Sequence, residues 1–306
     1  MDLVRANWIA VDWGTTNMRA WAMGGGDKIL ARVNSDRGMG TLNQAEFEPA
    51  LLELIAPWLH ETDVTDVVAC GMVGARQGWV EAPYGAVPCE PFAGESIISF
   101  SPWDQRLRMH IIAGLSQAEP ADVMRGEETQ IAGLLAGDRG FQGVICLPGT
   151  HTKWAWVEGG KITKFSTHMT GELFSLLAEK SVLRHTIASE GWDDAEFSKS
   201  FNSALENPVE ITAHLFSLRA EALIGDLLPE VARARLSALL LGLEFAAMRT
   251  NWQGQKIAII GSDRIAKIYQ QAFLLQNEQP IMFDAEALAL GGLINAHSQL
   301  QLKELK

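Results

Sequence analysis

The sequence is poor in the features that mark secreted, membrane or nucleic-acid-binding proteins. It has only three cysteines, Cys70, Cys89 and Cys146, and no CxxC spacing. An odd number cannot all pair within one chain, so buried free thiols in a reducing compartment are expected. No stretch reaches the roughly 20 uncharged apolar residues of a membrane span. The opening Met1-Asp-Leu-Val-Arg-Ala-Asn7 lacks the basic start and apolar block of a secretory leader. A cytoplasmic location without membrane attachment is therefore expected. Positive charge is scarce as well: 25 Lys and Arg stand against 37 Asp and Glu, for a net charge of -12. This excludes a broad cationic face for nucleic acid, and an anionic substrate would need its own local cations. Low-complexity runs and flexible linkers are also missing.

What remains is an ordinary globular composition. The 306 residues are 47% hydrophobic and 20% charged, enough for one large domain or two medium ones. Strand patterns fall at 8–12, 17–22 and 28–34, the last two joined by Gly24-Gly25-Gly26-Asp27, which suits a hairpin. Asn43 and Glu46 form a capping-box pattern before a helix carrying Phe47, Leu51, Leu54, Ile55 and Trp58. Further strands are expected at 66–70 and 109–113. The second part repeats this order. Strands are expected at 143–147, 152–157 and 161–168, followed by helices near 170–186, 193–205, 208–228 and 230–250. Strands at 257–260 and 280–283 and a helix over 285–299 complete it. The pattern predicts an α/β protein with mixed sheets. A boundary near 114–122 gives two lobes, 1–116 and 117–306.

Two strand–turn–strand segments carry the most chemistry. In Val11-Asp12-Trp13-Gly14-Thr15-Thr16-Asn17, an apolar strand ends in an acid and a Gly-Thr-Thr turn. Successive backbone N–H groups in such a turn form an anion nest. Asp12 could hold Mg²⁺ directly or through water as a hard oxygen ligand. The second segment is Leu147-Pro148-Gly149-Thr150-His151-Thr152-Lys153. Its amides and hydroxyls suit the other side of a triphosphate, and Lys153 could reach an oxygen. His151 reads as orienting Thr150 rather than as a base. Two such turns suggest two related lobes facing one nucleotide.

Three further segments are candidates. Arg125-Gly126-Glu127-Glu128-Thr129-Gln130 precedes apolar residues at helical spacing, which puts both glutamates in a first turn. They either complement the helix dipole or supply a general base for phosphoryl transfer; Glu128 is preferred to Glu127. Cys70-Gly71-Met72-Val73-Gly74-Ala75-Arg76-Gln77-Gly78-Trp79 reads as a tight loop after a buried strand. There Arg76 could clamp a carboxylate, beside Gln77, while Trp79 and Tyr84 offer flat faces for a sugar. His168 and Thr170 lie on a second candidate substrate wall. Gly261-Ser262 ends a strand where a base or ribose could approach the backbone.

Taken together, Val11–Asn17, Gly71–Trp79, Arg125–Gln130, Leu147–Trp154 and the segment Thr167-His-Met-Thr-Gly-Glu-Leu173 resemble the sugar kinase, actin and Hsp70-type ATPase superfamily. Within it they resemble the 2-dehydro-3-deoxygalactonokinase family. The resemblance implies two ribonuclease H-like lobes, each a mixed five-stranded sheet with helices, with ATP and Mg²⁺ in the interlobe cleft. It implies a sugar-acid side in the first lobe and a nucleotide side in the second. It also implies transfer of a phosphoryl group to the 6-hydroxyl of 2-dehydro-3-deoxy-D-galactonate in galactonate breakdown. One departure matters. Cys146-Leu147-Pro148 stands where the broader superfamily places an acid, which directs the search for a base to Gly126-Glu127-Glu128. The expected partners are the sugar acid and ATP, with homo-oligomerisation left open. The rival readings are a polyphosphate or nucleotide phosphohydrolase and a non-enzymatic ATP-switched partner protein.

Overall fold

A computed structural model describes residues 4–92, 97–261 and 264–304. The chain starts as a three-stranded antiparallel meander: β1 (Trp8–Trp13), β2 (Met18–Met23) and β3 (Ile29–Ser35). The expected capping box forms. Asn43 Oδ1 accepts from the Ala45 N–H, and the Glu46 carboxylate accepts from the Asn43 N–H at 2.8 Å, just before α1 (Phe47–Ile55). β4 (Thr65–Gly71) then pairs parallel to β1. After it come β5 (Tyr84–Ala86), β6 (Ile97–Phe100), β7 (Leu107–Ile112), β8 (Gly114–Gln117), β9 (Asp122–Met124) and α2 (Glu127–Gly137).

The first sheet has the order β3-β2-β1-β4-β7-β6, and β5-β8-β9 form a small separate sheet. That is one strand more than the five expected. The extra strand, β6, adds antiparallel to β7 at the edge, and four residues are too few for periodicity to single out. Along β1 the side chains alternate, as a pleated strand requires. Ile9, Val11 and Trp13 join Phe47, Leu51 and Ile55 of α1 on one face. Trp8 and Ala10 face the other way, with Val68, Cys70, Ala132 of α2 and Leu290 and Leu293.

The second sheet has the expected five strands. β10 (Gly143–Leu147), β11 (Thr152–Glu158) and β12 (Lys161–His168) lead to α3 (Thr170–Glu179), α4 (Asp194–Glu206), α5 (Ile211–Ile224) and α6 (Pro229–Trp252). β13 (Ile257–Ile260), α7 (Arg264–Leu275), β14 (Ile281–Phe283) and α8 (Ala285–Glu304) follow. The sheet order is β12-β11-β10-β13-β14. The helix expected over 170–186 stops at Glu179. Ser181 then caps a separate short turn by accepting from the Leu183 N–H. Trp154, Phe201, Phe245, Trp252 and Phe273 interlock in an aromatic core.

The chain divides into two compact units, neither of them contiguous. One comprises Met1–Gln142, Trp156–Phe165 and Asp284–Lys306; the other comprises Gly143–Ala155 and Ser166–Phe283. This differs from a single cut after residue 116. Within the first unit, the tip of the β11–β12 hairpin is tied by a bridge between Cys89 and Ile162 and by the Phe165 N–H donating to Gln117 Oε1. α8 returns to α2 at very close range. A Cβ at Gly133 would run into the Leu288 carbonyl, and one at Gly292 into that of Thr129. Among the described residues no helix is long and apolar enough to cross a membrane.

Candidate active site

Strand register builds the first part of the site. Asp12 lies opposite Arg19 on β2 and Cys70 on β4. It continues the Trp8–Ala10 face, so its carboxylate comes up beside α2 rather than α1. Arg19 sits 3.3 Å from Asp12 Oδ2 and 3.9 Å from Glu286, and the Cys70 thiol points at Oδ1 from 3.8 Å. Burial raises the Asp12 carboxyl above its ordinary range, and Arg19 partly opposes this. Among the described residues no cluster of three or more His, Cys, Asp or Glu is arranged to hold a metal. Mg²⁺ needs no such cage. It keeps waters and binds through one or two carboxylates plus phosphate oxygens, and the partly open carboxylate of Asp12 fits that donor set.

The turn after β1 exposes Thr15, Thr16 and Asn17. It closes through the Gly14 N–H on Asn17 O at 2.9 Å, and Asn17 Nδ2 donates to Thr16 Oγ1 at 3.0 Å. Its outer support was not legible in the motif. The Met39 and Gly40 N–H groups donate to the Gly14 and Thr15 carbonyls at 3.0 and 2.8 Å. A Cβ at Gly38 would run into the Thr15–Thr16 backbone.

The glutamates meet this strand end through two glycines. Gly71 ends β4 at φ 88°, where a Cβ would lie 2.7 Å from Trp13 O. Gly126 precedes α2 at φ 105°, and a Cβ there would lie 3.4 Å from Gly71 Cα. Both conformations favour glycine. Glu128 is fully buried, accepting from the Gly126 N–H at 2.7 Å and the Thr129 hydroxyl at 3.0 Å. Burial, reinforced by Glu127, pushes its pKa up to about 8. Glu127 is half-buried and accepts from the Arg125 N–H at 3.0 Å.

The loop after β4 divides its expected substrate residues. Arg76, 82% exposed in its side chain, pairs with Glu81 at 3.5 Å, and Gln77 is exposed. Tyr84 is 41% exposed, and the Arg125 guanidinium lies 4.3 Å above its ring. Arg125 Nη2 donates to Ala82 O, while Nε and Nη1 are buried without a hydrogen-bond partner. Trp79 turns the other way. It packs into the core against Trp13, Phe47 and Phe100, so its flat face is filled by protein. His168 belongs to the second unit, half-buried at the end of β12, with Ser166 Oγ 3.4 Å from its Nε2.

In the second unit the turn after β10 exposes Thr150 and His151, with Gly149 half-buried. His151 pairs with Glu172 at 2.5 Å. Lys153 is buried, and the Thr152 hydroxyl points inward to the Tyr269 hydroxyl at 2.7 Å. Thr152 therefore anchors the turn instead of lining its outer surface. The anchor ends on a residue that the motif does not contain, Glu244. Its carboxylate accepts from Tyr269 at 2.9 Å, from Trp154 Nε1 at 2.7 Å and from the Thr170 hydroxyl. Burial raises Glu244 to about 7 in spite of these three donors. Beside the turn is a cavity of about 500 Å³ lined by Gly149, Thr150, Gly171, Trp192, Arg233 and Arg264. Gly261 sits at the strand-to-helix step, its N–H donating to Phe283 O at 2.9 Å. Ser262 lies outside the described residues.

A sequence profile described as 2-keto-3-deoxy-galactonokinase matches residues 12–296. The chain belongs to this family. The profile takes in all of the segments above except the start of β1. A 2-dehydro-3-deoxygalactonokinase of Escherichia coli K12 is 38% identical over 276 residues, 88% of this chain and 89% of that protein. A relative from Rhizobium meliloti, named a probable 2-dehydro-3-deoxygalactonokinase, is 35% identical over 295 residues, 93% and 94% of the two chains. A crystal structure assigned to this family, from Sinorhizobium meliloti, superposes with a TM-score of 0.87 at 33% identity, covering 96% of this chain and 99% of that one. An activator of 2-hydroxyisocaproyl-CoA dehydratase from Clostridium difficile, solved with ADPNP, shares the fold at a TM-score of 0.51 and 15% identity, covering 98% of both chains. The fold is that of the actin-like ATPases and sugar kinases.

Proposed function

We infer that this protein is an ATP-dependent sugar-acid kinase that phosphorylates 2-dehydro-3-deoxy-D-galactonate on its 6-hydroxyl, in galactonate breakdown. The observation that carries the reading is the meeting of Asp12, Gly71 and Gly126, which sets the paired glutamates of α2 beside the first phosphate-type turn. A family match of this extent does not favour a phosphohydrolase or an ATP-switched partner protein.

The roles follow from the chemistry of each group. Gly14, Thr15, Thr16 and Asn17 offer amides and hydroxyls to phosphate oxygens. Asp12 would hold Mg²⁺, which neutralises phosphate charge when bound. Gly149, Thr150 and His151 in the second unit receive phosphate, Lys153 adds charge behind them, and the nucleoside occupies the cavity flanked by Arg233, Arg264 and Gly261. The first unit is the sugar-acid side. Glu128 accepts the proton of the attacking hydroxyl. Its burial makes it a stronger base than an exposed carboxylate, while Glu127 fixes the Arg125 backbone. Arg76 and Gln77 receive the substrate carboxylate, and Tyr84 contacts the sugar. Arg125, with two buried nitrogens lacking hydrogen-bond partners, adds the local positive charge that an acidic substrate requires in a protein of net charge -12. The unit built on Met1–Gln142 thus serves the sugar acid, and the unit built on Gly143–Ala155 and Ser166–Phe283 serves the nucleotide. The protein works in the cytoplasm.

The test is a coupled ADP-release assay over a panel of 2-keto-3-deoxy sugar acids, with and without Mg²⁺. ADP release that depends on 2-dehydro-3-deoxy-D-galactonate is expected. Equal release without any sugar acid would favour a phosphohydrolase instead.

A further inference from the structure

Glu244 sits in the middle of α6, 2% exposed, with no cation among its bonding partners. Its surroundings supply only neutral donors. Taking a carboxylate out of water is costly, and an apolar residue of similar size would usually stabilise the same position at least as well. The position of the three donors indicates what the carboxylate achieves there.

Each donor leads to the turn at Gly149–Thr150 or to one of its flanks. Trp154 lies on β11, the strand leaving the turn. Tyr269 passes the link on to Thr152, the first residue of that strand. Thr170 opens α3, and the two residues after it grip the turn from outside. A Cβ at Gly171 would run into the Gly149 carbonyl, and the Glu172 N–H donates to Thr150 O at 2.9 Å. Tyr269 also belongs to α7, the helix that follows Gly261. One carboxylate on α6 therefore fixes the exit strand, the bracing helix and the neighbouring helix together.

We propose that Glu244 is the positioning residue of the second phosphate turn: through Thr170, Trp154 and the Tyr269–Thr152 link it sets where the Gly149–Thr150 backbone meets the phosphates of ATP. This rests on the reading that ATP phosphate binds at that turn. Glu244 itself touches no reacting atom. Its loss acts through turn geometry, and small displacements of positioning groups reduce turnover steeply.

The test measures KM for ATP, KM for the sugar acid, kcat and Tm on the full chain. Tyr269→Phe removes one hydroxyl and keeps the ring. Its KM for ATP should rise about three- to tenfold, the worth of one hydrogen bond, with the sugar-acid KM unchanged. In Glu244→Gln the amide oxygen can still serve Trp154, and the Thr170 and Tyr269 hydroxyls can turn to accept from its NH₂. It should therefore fall between wild type and Glu244→Leu in KM for ATP. If Glu244→Leu does not fold, the two milder variants carry the comparison. Gly171→Ala presses on the turn directly and serves as control. A raised KM for ATP in Gly171→Ala, with Tyr269→Phe and Glu244→Gln unchanged or altered only in Tm, would overturn the role of Glu244 and leave the turn as a phosphate site. An unchanged KM in Gly171→Ala would overturn the phosphate reading itself.

Discussion

The turn after β1 and the turn after β10 carry similar residues, Gly14-Thr15-Thr16 and Gly149-Thr150-His151-Thr152, but they are held by different means. The first is braced by backbone: N–H groups of Met39 and Gly40 reach its carbonyls, and Gly38 leaves no room for a side chain. The second is braced largely by side chains, through Thr152, Tyr269, Thr170 and the buried Glu244. A backbone brace tolerates polar substitution around it but no added volume. A side-chain brace depends in addition on each hydrogen-bonding group, while Gly171 refuses volume beside the second turn as Gly38 does beside the first. Similar turn motifs thus share a sensitivity to volume and differ in their sensitivity to the loss of side-chain hydrogen bonds.

The sharpest way to break this comparison is Gly38→Val. Its branched side chain meets main chain that cannot yield, so turnover should fall about 10²-fold or more, with a lowered Tm; a near-normal kcat would show that the first turn has other support. Next is Glu128→Gln, which keeps the hydrogen bond from Gly126 but cannot accept a proton. Turnover should drop about 10²-fold with ATP binding retained by calorimetry. A base must be deprotonated to act, so wild-type turnover should climb as pH rises towards about 8, where Glu128 titrates, and the variant should lose that dependence. Wild-type turnover already level from pH 6 would remove Glu128 from proton transfer.

A smaller effect concerns stability. The folded-state pKa of Glu244, about 7, lies above its ordinary 4.5. Its neutral form is favoured on folding, so the associated stability is complete below pH 4.5 and is lost as pH rises through 7. Scans of wild type and Glu244→Gln from pH 5 to 8 should show the wild type losing ground by on the order of a few kcal/mol; parallel curves would contradict this. Smallest is Arg76→Lys. Losing a planar fork on an exposed loop should raise the KM for the sugar acid about threefold and leave that for ATP unchanged. An unaltered sugar-acid KM would return Arg76 to its pairing with Glu81.

Elements with long, regular patterns were legible in the sequence. The meander, α1 behind its capping box, β10 to β12 and α6 all fall close to their expected residues. β6 was not legible, because four residues at an edge carry little periodicity. The candidate site was legible where a motif displays its own chemistry, as with Asp12 and the two threonine turns. Trp79 was misplaced because an indole beside a glycine loop reads the same whether it faces a ligand or the core; only packing against Phe47 and Phe100 decides. Gly38 and Glu244 were invisible for a different reason. Their partners lie more than 20 residues away, and those of Glu244 as far as 90, and local pattern contains no record of such distant support.

The contact of α8 with α2 also bears on the order of events during synthesis. A ribosome delivers residues 285–304 only after every residue of the second unit has emerged. Until then Gly133 has no Gly292 segment to pack against, and the apolar face carrying Ala132 and Trp8 stays open. The second unit can complete its core while the first still waits for α8, so the nascent chain passes through a stage with one finished unit and one whose apolar face is still uncovered.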